Sequence, residues 1–278
     1  MPIRCSRLYL SQLLCGACEK QTQFKVSAWD SDVPDEPEDE HFTTRQPMFQ
    51  VKERSECCQR YLCHQFRALE LGVFPLQAQA DGTITSQGDQ WGEQSGWPEG
   101  AEPMLVMEKP FRCPLVLCCW MPWPYEMRVT RPRADQESEY FGRVLFEWKW
   151  WNCLWPCDQR MSVRDSADQT LFELHRPSAC AGGCVNCFAP SCCNRVHRTS
   201  IRRPECAEGG GKADSDVGEL HNVWPGCNMR GLCMPNSAAD NFVIKFPPDA
   251  DAREKSLLMA ALFLHNFIYW ESRDNQKN

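Results

Sequence analysis

The chain has 278 residues, a formal net charge of -7 and a sequence pI of about 5.5. This length is typical of one or two domains, and a hydrophobic content of 42% is enough for a sizeable core. The acidic balance argues against nonspecific nucleic-acid binding, which needs a basic surface. Because 19 cysteines cannot all pair within the chain, we expect reduced thiols that serve as metal ligands, lipid attachment sites or core residues.

Short segments of alternating polarity follow one another along the chain and predict β-strands. Acidic, glycine-rich or proline-rich composition predicts mobile loops near 30–47, 77–103 and 202–216. Many short strands separated by turns are typical of an all-β sandwich or barrel. The predicted strands are 21–29, 48–52, 64–74, 104–107, 125–129, 141–148, 161–164, 170–174 and 242–246.

The C-terminal segment 256–270 is apolar in every helical direction, which is typical of a buried helix or a membrane span. At ~1.5 Å per residue it would extend about 22 Å, short of the ~30 Å of a hydrocarbon core. His265 and Asn266 would also be costly in lipid. The sequence therefore predicts a core helix inside a barrel, with these residues in its packing: Leu257, Leu258, Leu262, Phe263 and Phe267.

A cysteine-rich connector carries thiols at spacings that suit a tetrahedral zinc site: Cys180, Cys184, Cys187 and Cys192. A cysteine-rich structural zinc-binding module is therefore one reading of the chain. No phosphate-binding loop, dinucleotide fingerprint or zinc-protease motif is present in the sequence. We therefore predict no catalytic residue and no covalent-bond chemistry.

Two C-terminal segments resemble the end of the phospholipid scramblase family. In that family, a strand like 240–251 leads into an apolar helix that closes with an aromatic pair and Glu-Ser, as 257–272 does here. Upstream, 53–60 is similar to the family's acidic stretch ending in a cysteine pair, and 107–119 is similar to its Pro-x-Arg-Cys segment and cysteine cluster. The likeness covers about residues 20–272.

The resemblance implies a mainly β fold, a closed antiparallel Tubby-like β-barrel around a central hydrophobic C-terminal helix. We expect this domain to span 21–272, between an N-terminal segment 1–20 and a tail 273–278. The implied function is calcium-linked, ATP-independent, bidirectional movement of phospholipids between membrane leaflets. A membrane-tethered lipid-binding or signalling adaptor without transport activity is the alternative.

The resemblance also implies site residues. The family's cysteine cluster takes palmitate, which here would fall on Cys113, Cys118 and Cys119. Flanking Trp120 and Trp123 suit a lipid headgroup region, and two acyl chains anchor stably where one does not. The family's calcium segment maps onto the carboxylates Asp240, Asp249 and Asp251.

Ala238 stands where the family's calcium segment begins with Asp, so we expect a weak calcium site, with a dissociation constant of ~1 mM or higher. The implied location is the cytosolic face of the plasma membrane, by acyl anchor or by a single pass of the C-terminal helix, and the cytoplasm when unacylated. Membrane phospholipids are the implied partners, together with a second copy of the chain or a signalling protein.

Overall fold

The computed structural model describes residues 3–7, 22–29, 34, 37–56, 59, 67–78, 84–86, 97, 100–111, 125–134, 136–146, 159–176, 195–204, 216–223 and 241–269. These residues form thirteen strands and two helices. The strands are β1 (Ile3–Arg7), β2 (Gln23–Ala28), β3 (Phe49–Arg54), β4 (Leu69–Ala78), β5 (Ile84–Ser86), β6 (Leu105–Lys109), β7 (Tyr125–Arg131), β8 (Glu139–Phe146), β9 (Gln159–Asp165), β10 (Thr170–Arg176), β11 (Val196–Arg202), β12 (Asp216–Val223) and β13 (Asn241–Lys245). The helices are α1 (Asp39–Thr43) and α2 (Ala252–Tyr269).

The strands form one antiparallel sheet in the order β3-β2-β1-β13-β12-β11-β10-β9-β8-β7-β6-β4-β5, and β3 also pairs with β4. Consecutive strands are neighbours over most of this order, which is typical of a meander with short connections. β1 is inserted between β2 and β13, so the first described strand lies beside the last one. The predicted mainly β class with one C-terminal helix is confirmed.

Because neighbouring strands are antiparallel, the connections between them alternate between the two ends of the sheet. β6 runs from Leu105 to Lys109, and we name the two ends after Lys109 and after Met104, which precedes β6. The Lys109 end holds the strand termini Arg7, Gln23, Arg54, Leu69, Tyr125, Phe146, Gln159, Arg176, Val196, Val223 and Asn241. The Met104 end holds the opposite termini of the same strands.

The helix α2 runs from the Met104 end to the Lys109 end against one side of the sheet. Arg253 near its start pairs with Glu139, whereas Phe267 near its end lies under Arg67. Residues 257–268 of α2 are all buried. Phe263 packs on Phe24 of β2 with ring centroids 4.8 Å apart. Its five predicted core residues Leu257, Leu258, Leu262, Phe263 and Phe267 belong to the same cluster as the inward side chains of the strands.

A smaller apolar cluster lies on the other side of the sheet, and its members are Trp29, Phe42, Val196, Val223 and Val243. Phe42 of α1 meets Trp29 edge-on, with ring centroids 5.5 Å apart. Arg45 stacks on the same indole, 4.1 Å from its centroid. Phe42 and Arg45 fall within 30–47, where the composition predicts a solvated loop. The structure instead has the short helix α1 there, with Phe42 buried.

Candidate functional site

The Lys109 end contains a buried ion pair on the helix-facing side of the sheet. Glu53 follows Val51 at a two-residue interval along β3, so its side chain points to the same side as this core residue. Arg67 approaches from the start of β4 and binds Glu53 through its Nε and Nη2 atoms, at 3.0 and 3.3 Å. Both side chains are almost completely buried.

Two further donors complete the Glu53 site. The backbone N–H of Thr22 donates to Glu53 Oε2 at 2.9 Å, and the Ser55 hydroxyl donates to Oε1 at 2.5 Å. Burial alone would raise the pKa of Glu53, but the charge and hydrogen bonds of Arg67, with those of Ser55 and Thr22, lower the pKa to about 2. Glu53 is therefore ionised at neutral pH, and it links β2, β3 and the start of β4.

Lys109 extends this polar cluster across the end of the sheet. Its Nζ donates to the backbone carbonyl of Arg67 at 2.7 Å and lies 5.8 Å from the ring centroid of Tyr125. Burial raises the pKa of Tyr125 to about 12, so the phenol stays protonated at neutral pH. Lys109 and Tyr125 flank the segment 110–124, which carries the predicted acylation sites.

A second group of buried polar side chains lies between α2 and β11. The rings of His197 and His265 have centroids 6.3 Å apart, and both residues are buried. Asn266 is also buried, and neither polar atom of its amide has a hydrogen-bond partner among the described residues. Within the buried part of α2, the polar side chains His265 and Asn266 thus lie in its C-terminal half.

The outer side of the sheet carries a groove of about 430 Å³ near Trp97. The Trp97 ring packs so closely on Gly72 that a Cβ atom added to Gly72 would lie 2.9 Å from the indole. The guanidinium of Arg54 stacks on the same indole, 3.9 Å from its centroid. Because Arg54 and Arg133 in its lining pair with Glu70 and Glu139, the groove presents its arginines already in ion pairs.

Two of the three predicted calcium ligands lie in the described part of the chain. Asp249 accepts a hydrogen bond from Arg203 Nη2 at 2.7 Å. Asp251 caps α2, since its Oδ1 accepts from the Glu254 N–H at 2.7 Å while the Glu254 carboxylate accepts from the Asp251 N–H at 3.0 Å. Both carboxylates thus have protein partners in this structure.

The third predicted calcium ligand, Asp240, lies outside the described residues. Its neighbour Asn241 begins β13, whereas Asp249 follows the other end of that strand. Calcium binding at Asp240, Asp249 and Asp251 stays a prediction.

The predicted cysteine sites also lie outside the described residues: Cys113, Cys118 and Cys119 for palmitate, and Cys180, Cys184, Cys187 and Cys192 for zinc. Within the described ranges, no group of three or more His, Cys, Asp or Glu residues is placed to hold a metal ion. The described part of the chain contains no helix with the length and hydrophobicity that a membrane crossing requires.

Sequence reasoning missed Glu53, Arg67 and Lys109 as members of one cluster. Glu53 and Arg67 are 14 residues apart, and Lys109 is 42 residues from Arg67, so only the pairing of β3, β4 and β6 brings them together. The sequence signal that could have found them is a charged residue at an inward position of a strand. Glu53 lies two residues after Val51 in β3, and Lys109 lies two residues after Met107 in β6. A buried charge at such a position requires a partner.

Several curated proteins are similar to this chain in sequence, and they are named phospholipid scramblase 1, 2 or 4. Phospholipid scramblase 1 of Rattus norvegicus is 23% identical over 232 residues, which cover 84% of this chain and 52% of the relative. Phospholipid scramblase 1 of Homo sapiens is 23% identical over 233 residues, with 84% and 55% covered. Phospholipid scramblase 2 of Bos taurus is 22% identical over 229 residues, with 81% and 58% covered.

The chain is a distant relative of the phospholipid scramblases. The resemblance seen in the C-terminal strand and helix thus extends over most of the sequence. The chain spans about half the length of the scramblases that it matches. No family model and no solved structure matches it.

Proposed function

We propose that this chain acts at a phospholipid membrane and moves phospholipids between the two leaflets without ATP, in a calcium-linked manner. The observation that carries the proposal is the similarity to phospholipid scramblase 1 over 84% of the chain. The antiparallel sheet that packs on one apolar C-terminal helix agrees with the fold implied by that similarity. No covalent chemistry is required, because the phospholipid changes its position and keeps all its bonds.

The finer fold that we propose is a closed Tubby-like barrel around α2. The pairing of β3 with both β2 and β4 supports closure, because β4 is also paired with β6 near the far end of the strand order. Closure would leave no long unpaired edge except at the short β5. Such a barrel would use the apolar surface of α2 for packing.

Acylation at Cys113, Cys118 and Cys119 would attach the protein to the cytosolic face of the plasma membrane, and the unacylated protein would remain in the cytoplasm. The exposed Phe111 two residues before Cys113 supports this, since an aromatic side chain suits the headgroup region. Hydroxylamine-sensitive acyl exchange on the full chain tests the assignment. It should disappear in Cys113→Ser/Cys118→Ser/Cys119→Ser and persist in Cys206→Ser, and exchange that survives the triple substitution would refute it.

Zinc at Cys180, Cys184, Cys187 and Cys192 is a separate proposal that rests on their spacing. Elemental analysis of the purified chain decides it, with one equivalent of zinc expected and none expected after Cys184→Ser/Cys187→Ser. Equal zinc content in both proteins would refute this site and, with it, the interpretation of the chain as a zinc-binding module.

A membrane-tethered lipid-binding or signalling adaptor is the second candidate function. The burial of α2 favours it, because the most apolar segment of the described chain is used in the core and is not available to hydrocarbon. An adaptor would bind membrane lipid, a signalling protein or a second copy of the chain without moving lipid.

Reconstitution separates the two functions. The full chain is incorporated into liposomes that carry a fluorescent phospholipid in both leaflets, and a membrane-impermeant quencher is added outside. Transport exposes inner-leaflet label to the quencher, whereas an adaptor leaves that label protected. Measurements with calcium and with chelator test the calcium link separately from transport itself.

A further inference from the structure

The groove beside Trp97 is built from three separate parts of the chain. Val106 of β6 and Thr130 of β7 are paired directly across the two strands and form its floor. Trp97 covers Gly72 of the neighbouring β4, and the turn between β7 and β8 completes the lining. The volume of about 430 Å³ is in the range of ligand sites. The apolar residues of the lining are Trp97, Pro103, Val106, Pro132 and Ala134.

Exposed apolar side chains border this groove. Met104 directly follows the lining residue Pro103, and Tyr140 is paired with the floor residue Thr130. Met104 is 42% exposed and Tyr140 is 37% exposed, so both are available at the surface. Apolar surface of this kind, with polar residues around it, is typical of an interaction site.

The charge that is left unpaired in the groove is negative. Arg54 binds Glu70, and Arg133 binds Glu139, so both arginines of the lining have carboxylate partners. Glu102 also belongs to the lining and is exposed, but it has no hydrogen bond or ion pair with the described residues. A ligand that complements this lining therefore carries a positive charge near Glu102.

The strand pairing and the size of the groove restrict the form of such a ligand. β6 is hydrogen-bonded to β4 on one side and to β7 on the other, so the floor offers no free edge to which a peptide strand could be added. An amphipathic helix is about 10 Å wide with its side chains and needs a longer apolar groove than the five apolar lining residues provide.

Two further modes of peptide recognition remain. A phosphorylated or acidic peptide requires free arginines, whereas Arg54 and Arg133 are already in ion pairs. A polyproline II segment instead docks its rings against aromatic and other apolar walls, and it is extended before it binds. It therefore loses little conformational entropy, which suits a groove with few apolar contacts.

We propose that this groove binds a proline-rich, basic segment of a partner protein in the polyproline II conformation. The prolines of the partner pack against Trp97 and Pro132, and a Lys or Arg of the partner lies beside Glu102. This function goes beyond the proposed movement of phospholipids and does not depend on it.

Two charge reversals test the part that Glu102 plays. Glu102→Lys reverses the charge of the lining carboxylate. Glu137→Lys makes the same change at an exposed carboxylate in the turn between β7 and β8 that does not line the groove. Equal thermal unfolding midpoints for both variants and the wild-type chain check that the fold is retained.

Fluorescence anisotropy with a labelled Pro-x-x-Pro peptide that ends in arginine measures binding by the full chain. Glu102→Lys should weaken binding about fivefold and Glu137→Lys less than about twofold, because the charge is reversed inside the groove in only one of them. Replacing the arginine of the peptide by glutamate should weaken binding to the wild-type chain and restore binding to Glu102→Lys. Replacing its prolines by alanines should weaken binding about tenfold, since the preformed conformation is lost.

Three results with the peptides would overturn the proposal: no binding of the arginine peptide by the wild-type chain, equal weakening by both charge reversals, or equal binding of the alanine peptide. A groove that faces lipid would behave differently. Glu102→Lys would then strengthen sedimentation with phosphatidylcholine–phosphatidylserine vesicles more than Glu137→Lys does, because a lysine in the groove would contact the anionic surface. That result would also overturn the assignment of the groove to a peptide.

Discussion

Arg67 and Glu53 form a two-point ion pair inside the sheet, with Nε–Oε1 and Nη2–Oε2 distances of 3.0 and 3.3 Å. The pair joins the start of β4 to the end of β3 beneath the last turns of α2, where the Arg67 guanidinium lies 5.4 Å from the Phe267 ring centroid. A buried charge without its partner is strongly unfavourable, so the two side chains depend on each other.

Glu53→Gln should therefore lower the free energy of unfolding by about 3–5 kcal/mol, because Arg67 would stay buried without its counter-charge. Denaturant unfolding of the full chain measures this loss. Glu70→Gln is the matched control, since the Arg54–Glu70 pair joins the same two strands at the exposed surface and should contribute at most about 1 kcal/mol. Similar losses for both variants would show that the buried pair has no special role.

The pH dependence of stability should carry the signature of Glu53. The fold lowers the pKa of Glu53 from the ordinary 4.5 of a glutamate to about 2, so the unfolded chain takes up a proton first as the pH falls. The stabilisation is complete above pH 4.5 and is lost as the pH falls from 4.5 towards 2. Its size is on the order of 3 kcal/mol.

Unfolding free energies measured over this pH range in wild type and Glu53→Gln test the assignment. The difference between the two proteins should shrink with falling pH. Two other carboxylates also contribute to the loss of stability in acid. Arg143 and Arg164 lower the pKa of Asp168, and the hydrogen bonds of His221 and Lys245 outweigh the effect of burial and lower the pKa of Glu219. The Glu53→Gln variant should therefore still lose part of its stability as the pH falls. A difference that stays constant from pH 6 to 3 would mean that Glu53 titrates normally in the fold.

Phe263→Ala should lower the free energy of unfolding by about 3–5 kcal/mol, because this side chain of α2 is buried in the core and packs on the Phe24 ring. Met48→Ala, a truncation at an exposed apolar residue, should cost less than about 0.5 kcal/mol. Calorimetric or denaturant unfolding checks both. A small cost for Phe263→Ala would place α2 outside the core.

Asp251→Ala should lower stability by about 1 kcal/mol through loss of the α2 cap. Asp249→Ala removes an exposed pair with Arg203 and should cost no more than about that amount.

Calcium titration calorimetry of both variants and of Asp240→Ala tests the predicted weak site. Heat that is absent in wild type, or unchanged in all three variants, would remove calcium binding at these carboxylates.

The elements that follow from the sequence are those with one clearly apolar side. The strands β2, β7 and β13 alternate as predicted, because their inward residues pack on α2 while their outward residues are mostly polar. β11 and β12 were not predicted, since inward positions hold His197, Thr199 and Asn222 and weaken the period of two. β1 has little apolar character, and its pairing with β2 and β13 decides its structure.

Boundaries and sites depend on partners that the sequence does not display. The apolar run predicts a helix from 256, yet α2 begins at Ala252 because Asp251 and Glu254 cap it four residues earlier. The predicted strand 64–74 begins at Leu69 instead, and the preceding Arg67 serves the Glu53 pair. Phe42 gave no periodic signal, since its burial depends on Trp29.

The most direct measurement of the central claim is quenching of a fluorescent phospholipid in liposomes that contain the full chain. If the chain moves phospholipids, quenching should proceed beyond the outer-leaflet fraction in the absence of ATP, whereas in protein-free liposomes it should stop at that fraction. Calcium should accelerate the additional phase. Quenching that stops at the outer-leaflet fraction, in liposomes shown to contain the folded protein and with calcium present, would contradict phospholipid movement by this chain.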